Sequence, residues 1–369
     1  MSRTFFISIK PELGDISSVT IEQAYQRLGL NTGNLLFTNA VWSQLDYEKA
    51  ESGFVFDPAY VNENFDHVVI PAANWLFEKF DFTDLAILIE QLTIPVVMIG
   101  VGAQAGVDQA IPVLPEGSVR LMKAVSERSA LIGARGDFSA EVLDYYGIKN
   151  VEVTGCPSLY MGHSGNLKIC KSDLDKIMIG GTRYHISNQD KSDLGKFQRS
   201  IYQLAFREGF DINYQSERPE FDFIISSGAA EISPKVLNEV CKYYGCDDTQ
   251  KLFSYLSTHG NVFVNVDEWI TIMNKYDFYI GSRIHGVIAM LLSATPACLL
   301  THDSRTKELA DFASIPSFSQ DEIGELTMDV VEDIYNGIDF DCFQNTIKQK
   351  YQDYIRFLDA NALPHHLVR

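Results

Sequence analysis

The apolar positions of this chain fall into two alternating series of short runs and amphipathic stretches. In the first series, residues 4–9, 67–70, 95–101, 130–134 and 151–153 are predicted strands, rich in β-branched or continuous apolar residues. Residues 21–28, 35–45, 82–92, 119–127 and 138–146 show helical spacing. Asn31-Thr32-Gly33-Asn34 is the predicted turn between the first two helices. The run 95–101 has no polar interruption, which suits a strand buried on both faces of a parallel sheet.

A polar stretch, 162–175, interrupts this rhythm and is the predicted linker. The second series then predicts strands over 176–179, 221–225, 262–266, 278–280 and 297–300. Helices are predicted over 194–208, 234–243, 269–275 and 306–312, with another starting at Arg283. The segment 343–358 is an amphipathic helix with Ile347, Tyr351, Tyr354 and Ile355 on one side, and no strand follows it. His365-His366 lies beyond, in a tail expected to be frayed and solvated. The pattern predicts an α/β fold in three parts: residues 1–165, residues 176–338, and a final stretch 339–369 that packs back on the first part. A ligand cleft is expected between the two α/β halves, where strand C-termini meet.

Composition narrows the function. A length of 369 residues fits two domains, and 46% apolar with 21% charged residues reads as soluble and globular. A net charge of -19 argues against a nucleic-acid partner and against docking on anionic lipid. It leaves room for an anionic substrate, because a few arginines focused in a cleft can hold a phosphate. No apolar run reaches the ~20 residues of a membrane span, and the start of the chain does not read as a signal peptide. The protein is therefore expected to be cytoplasmic and not an integral membrane protein. Six scattered cysteines show no zinc spacing and are expected to be reduced thiols.

Candidate chemistry gathers where arginines follow predicted strands. Tyr279-Ile280-Gly281-Ser282-Arg283-Ile284-His285-Gly286 runs from a strand through a small-residue turn into a helix. Its first turn offers free N–H groups and the positive end of the dipole, which suit an anion. The plainer alternative is two ordinary residues at a helix start. Arg135 (in Gly133-Ala134-Arg135-Gly136-Asp137) and Arg183 (in Gly180-Gly181-Thr182-Arg183-Tyr184-His185) stand at equivalent places. Their plainer roles are a salt bridge to Asp137 and a solvated surface. In His302-Asp303-Ser304-Arg305-Thr306-Lys307, Asp303 suits a helix cap and Arg305 a cation in the cleft. Asp339-Phe340-Asp341 suits capping better than metal binding, and Asp247-Asp248 sits in a turn with no clear partner. There is no P-loop, no Gly-x-Ser-x-Gly elbow and no complete dinucleotide fingerprint.

In order along the chain, several of these segments resemble the polysaccharide pyruvyl transferase family. Gly281 to Gly286 with the following Thr295-Pro296 resembles its Arg-Leu-His-Gly segment. Asp303-Ser304-Arg305 stands where the family usually has Asp-x-Lys. Arg135 to Leu143, Val153-Thr154-Gly155-Cys156-Pro157-Ser158-Leu159 and Thr182-Arg183-Tyr184 are similar to further family segments. The similarity runs from about Val96 to Pro316, and Asn31 to Asn34 matches the family's N-terminal loop more loosely.

The resemblance implies two Rossmann-like domains in a glycosyltransferase-B-like arrangement with a C-terminal crossing helix. It also implies transfer of pyruvate from phosphoenolpyruvate to two hydroxyls of a saccharide, as a cyclic ketal. No metal or other cofactor is required. On this reading His285 is the acid or base, since an unperturbed imidazole titrates near cytoplasmic pH. Arg183, Arg283, Ile284, Arg305, Arg135 and Asn34 are the substrate-binding residues. The first part is the acceptor side and the second the phosphoenolpyruvate side. A lipid-linked acceptor would place the protein peripherally at the inner membrane face. Arg305 departs from the family lysine and cannot give up its proton. The alternatives are a nucleotide-sugar glycosyltransferase of the same architecture and a non-catalytic glycan-binding member.

Overall fold

The computed structural model describes residues 2–14, 18–105, 110–182 and 192–368. Every strand pair in it is parallel. The first sheet contains β1 (Ser2–Phe6), β2 (Tyr47–Ser52), β3 (His67–Pro71) and β4 (Val96–Ile99), in the order β2-β1-β3-β4. Beyond β4, β5 (Ile132–Ala134) pairs with β6 (Val151–Val153). The pair continues the sheet through a Val101–Ala134 bridge and a 2.8 Å bond from Gly100 N to Gly133 O.

The second sheet holds β7 (Ile177–Gly180), β8 (Asp211–Asn213), β9 (Gly260–Asn261), β10 (Phe278–Gly281), β11 (Ala297–Thr301) and β12 (Ser317–Ser319). Its order is β12-β11-β10-β7-β8-β9. This is an α/β fold of two Rossmann-like halves.

Strand alternation sorts the core. Side chains two residues apart share a face, so Phe5 and Ile7 join Val68, Ile70 and Met98 on the outer face of the first sheet. Phe6 turns the other way, joining Val69, Val97 and Ile99 in a core that runs on into the second half. Helix Gly33–Gln44 lies within that shared core, with Leu35, Leu36, Phe37, Ala40 and Val41 all buried. The last helix, Asp341–Ala360, buries Phe343, Ile347, Tyr351, Tyr354, Ile355 and Leu358. It crosses to the first half: Tyr354 stacks on Tyr160 at 4.6 Å and donates to Gln44 Oε1 at 3.0 Å.

Several expectations need correction. Residues 221–225 are not a strand but part of helix Arg218–Ile225, whose first turn holds Pro219. Proline fits the first turn of a helix, and the short apolar run 221–225 is ambiguous in period. The strand in that region is β8. Residues 262–266 are not a strand either: pairing ends at Asn261, and Asn265 caps helix Val266–Met273 by accepting from Glu268 N. The tail is pinned rather than frayed. His366 N donates to Gln44 O at 2.9 Å, and His365 bridges Leu45 and contacts Asp359 at 3.2 Å. Asp339 accepts from Asp341 N at 2.7 Å in the turn before the last helix; it is not the cap expected, since Phe340 holds that position and makes no side-chain cap bond.

Candidate functional site

A cavity of about 150 Å³ lies where the C-terminal ends of the two sheets approach each other. The residues after β3 supply Asn74, those after β5 supply Arg135, and those after β10 supply Ser282, Arg283, Ile284 and His285. The residues after β11 supply His302 and Arg305, while Asn31 and Asn34 enter from the start of helix Gly33–Gln44. A larger cavity of about 660 Å³ lies elsewhere on the second half, lined by Asp193, Lys196, Arg199, Asp321 and Glu325. Its charges are mixed and it contains no histidine. The smaller cavity has three arginines, two histidines and no carboxylate on its lining, so it is the candidate site for an anion.

The three arginines differ in how far their charge is compensated. Arg283 donates from Nε to Gly181 O at 3.2 Å and from Nη2 to Ser216 Oγ and Glu217 Oε1. Glu217 is buried and also accepts from Gln215 N and Ser216 N at 2.9 and 3.0 Å. Arg283 therefore meets the cavity with a buried carboxylate already holding it.

Arg305 is paired too, donating to Asp303 Oδ2 at 2.8 Å. The same carboxylate caps helix Ser304–Ala313 by accepting from Thr306 N at 3.0 Å. Burial alone would raise the pKa of Asp303, but Arg305, His302 and the Thr306 N–H hold it well below the usual carboxylate range.

Arg135 is different. It is 3% exposed and makes no ion pair among the described residues, not even with Asp137. It donates from Nη1 to Asn74 Oδ1 at 2.9 Å and from Nη2 to Ala72 O at 3.4 Å, and its buried Nε has no partner. An uncompensated buried guanidinium is costly unless an anion completes it.

His285 follows Arg283, which is the cap residue of helix Ile284–Leu292. Burial first, then the charges of Arg135 and Arg283, push its pKa down from 6.5 to about 3. The ligand-free imidazole is therefore neutral near pH 7. A lowered pKa is the direction a helix start favours, although burial is the largest cause here. Its Nε2 faces the Cys156 thiol at 3.8 Å, and its Nδ1 lies beside Gly33. A Cβ at Gly33 would sit 2.7 Å from that nitrogen and 2.7 Å from Gln215 Oε1, so only glycine fits there.

Behind Arg135, the buried Glu308 of the second half reaches the first. It accepts from Ser139 N at 3.1 Å and from Ser139 Oγ at 2.7 Å. Burial raises its pKa from 4.5 to about 7, against the pull of the Ser139 bonds and Arg135.

Six expected residues thus meet at one cavity: Asn34, Arg135, Arg283, Ile284, His285 and Arg305. Arg183 lies outside the described residues. Asn34 is partly committed, since its amide nitrogen donates to Leu28 O and Gly29 O at 3.0 and 3.1 Å. Sequence reasoning gave no role to Asn74, Gln215, Glu217, His302 or Glu308. Asn74 closely follows a predicted strand and could have been found by the rule that located the arginines. Glu217 adjoins the segment misread as a strand. Among the described residues, no group of three His, Cys, Asp or Glu is placed to hold a metal ion. No described helix is long and apolar enough to cross a membrane.

Known proteins place the chain in a family. The family model for polysaccharide pyruvyl transferase matches residues 31–304, and the chain belongs to this family. Its members act as transferases on saccharides. No curated protein sequence matches the chain. Among solved structures it is similar to UDP-GlcNAc 2-epimerase of Methanocaldococcus jannaschii in complex with UDP-GlcNAc and UDP. That match has 11% identity, covers 97% of this chain and 99% of that one, and has a TM-score of 0.47. The UDP-GlcNAc 2-epimerase of Neisseria meningitidis, bound to UDP-GlcNAc, shares 12% identity over 98% and 100% of the two chains, with a TM-score of 0.46. Anabaena Alr3699/HepE, in complex with UDP and glucose, shares 8% identity over 98% of each chain, with a TM-score of 0.45. Likenesses this distant say nothing of the ligand bound here.

Proposed function

We propose that this protein transfers pyruvate from phosphoenolpyruvate to a sugar of a polysaccharide or its precursor, forming a cyclic ketal. The observation that carries the reading is the cavity with three arginines, one of them without an ion pair among the described residues, beside a histidine. Phosphoenolpyruvate brings a phosphate and a carboxylate, and planar guanidinium forks match both. Arg135 supplies the uncompensated charge. Arg305 and Arg283, held by Asp303 and Glu217, contribute positioned N–H groups rather than net charge. Residues 1–165, 176–338 and 339–369 are the three parts on this reading. Arg135 and Asn34 come from the first, and Arg283, His285 and Arg305 from the second.

The reaction needs a proton on the methylene carbon of the enol phosphate. The resulting oxocarbenium centre at C2 is attacked by one sugar hydroxyl. Phosphate then leaves, and the neighbouring hydroxyl closes the ring. His285 is neutral in the free site because burial and two arginines disfavour its cation. A bound phosphate opposes the arginine field and raises the imidazole pKa, so its proton becomes available with the donor in place. The first hydroxyl returns its proton to His285, and the proton of the second leaves with the phosphate while its oxygen stays in the ketal.

The test is incubation with phosphoenolpyruvate and a panel of galactosides, glucosides and N-acetylmannosaminides, read by mass spectrometry and phosphate release. Addition of one pyruvate with loss of water and release of one phosphate is expected. Glycan binding without phosphate release would reduce the protein to a non-catalytic family member. Transfer from a nucleotide sugar would replace the reading with glycosyl transfer.

A further inference from the structure

Cys156 lies directly behind His285, and three buried groups form a line there. Cys156 Sγ is 3.0 Å from Ser158 Oγ and 3.8 Å from His285 Nε2. Cys156 and Ser158 are fully buried and His285 is 8% exposed. The backbone fixes the thiol in place. Gly155 takes φ +73°, where a side chain would run into Phe312 at 2.3 Å, and Cys156 is the cap of the 3-10 helix Pro157–Tyr160. Gln44 Nε2 donates to Pro157 O at 3.0 Å and ties this corner to helix Gly33–Gln44.

The direction of the line follows from counting donors. If Nε2–H donated to sulfur, the thiol proton would go to Ser158 Oγ. The Ser158 hydroxyl proton would then have no acceptor among the described residues, in a fully buried place. In the other direction both sealed protons have acceptors, Ser158 O–H to Cys156 Sγ and Cys156 S–H to His285 Nε2, and the one proton left over belongs to the His285 ring, which lines the cavity. Buried hydroxyl donors left unsatisfied are costly, so the second direction wins. The imidazole must then carry its own proton on Nδ1. That nitrogen has no protein partner among the described residues and lies beside Gly33, between the cavity-lining Asn31 and Asn34.

We infer that Cys156, oriented by Ser158, is the positioning residue that fixes His285 as its Nδ1–H tautomer, so that the free site presents a hydrogen-bond donor to an incoming anion oxygen. In this arrangement the imidazole begins as a neutral donor rather than a base. Its second nitrogen is shielded by sulfur, a poor acceptor that competes weakly for the proton. The inference deepens the reading of the site given above and rests on it only for the identity of the anion.

The tautomer is measurable in the ligand-free protein without any turnover. Histidine labelled with ¹⁵N, with the His285 signals assigned by comparison with His285→Gln, should show Nδ1 protonated and Nε2 bare near neutral pH. Cys156→Ser keeps one proton to donate and should retain most of that tautomer. Cys156→Ala and Ser158→Ala should each shift the population towards Nε2–H, and Ser158→Ala leaves the sulfur in place should the alanine at 156 fail to fold. Nε2–H in the wild type, or an unchanged tautomer in both alanine variants, would overturn the inference. Failure to transfer pyruvate would overturn the proposed reaction alone and leave this measurement standing.

Discussion

Glu308 offers the sharpest test of the electrostatics around the site. It is buried, bonded to Ser139 across the two halves, and its pKa is raised from 4.5 to about 7. A carboxyl whose folded pKa is raised holds its proton in the folded state after the unfolded chain has released it. Its contribution to stability is fully present below about pH 4.5 and is lost as pH rises through about 7. Glu308→Gln is the neutral isostere and lacks this dependence. From the two pKa values, wild type should lose about 2.5 kcal/mol relative to Glu308→Gln between about pH 5 and pH 8.5. The facing charges are Arg135, which favours the carboxylate, and Asp137, which opposes it. Both are present in each protein, so the comparison isolates Glu308. Urea unfolding of the two proteins at both pH values gives the number. A wild type that holds its relative stability, or gains some, as pH rises would refute the reasoning. It would mean that Arg135 and the Ser139 bonds outweigh burial and keep the carboxylate ionised.

Other perturbations test the cavity itself. Arg135→Gln should weaken phosphoenolpyruvate binding by roughly 1.5–3 kcal/mol, the scale of a charge-assisted hydrogen bond, as read by calorimetry in chelator. Loss smaller than that of Arg305→Gln would mean that compensation by Asp303 does not matter. Gly33→Ala should cost at least about tenfold in donor affinity with the fold retained, because the new methyl would displace the His285 ring or Gln215. Unchanged affinity with a folded protein would show that the ring can move freely. In the ligand-free protein, His285 signals should not titrate between about pH 5 and pH 8, because its pKa lies near 3. An inflection near 6.5 would show that the site is wetter than its burial implies.

Much of this site was legible because the sequence marks strand ends. Arg135, Arg283 and Arg305 were located by one rule, a cation just after an apolar run, and that rule holds because parallel strands deliver their C-termini to one edge. Their partners were harder to see. Glu217 is close to Arg283 only because β8 and β10 flank β7 in one sheet, and no spacing in the chain carries that neighbourhood. The strand readings failed where apolar runs were short. Residues 221–225 bear Phe, Phe, Ile and Ile in a spacing both periods accept, and only Pro219 in the first turn favours the helix. Asp303 was legible as a cap because that chemistry is local.

The pairing of the arginines explains how a chain of net charge -19 can keep a cationic cavity. A cluster of three bare guanidinium groups would repel itself strongly in a site this buried. Here two are neutralised by Glu217 and Asp303, each tied down by backbone N–H groups. Those bonds keep each carboxylate in place, so Arg283 and Arg305 stay oriented without adding net charge. The remaining charge, on Arg135, is held by Asn74 and a carbonyl, neutral partners that orient it without cancelling it. On the proposed reading, selection of a small polyanion follows from this geometry: one uncompensated charge would draw the ligand in, and two fixed forks and an imidazole N–H would judge its shape. The same division makes the site sensitive to Glu308, a buried carboxyl that feels the charge of Arg135. Held protonated by burial, Glu308 leaves that charge free for a ligand; ionised, it would compete with the ligand for it.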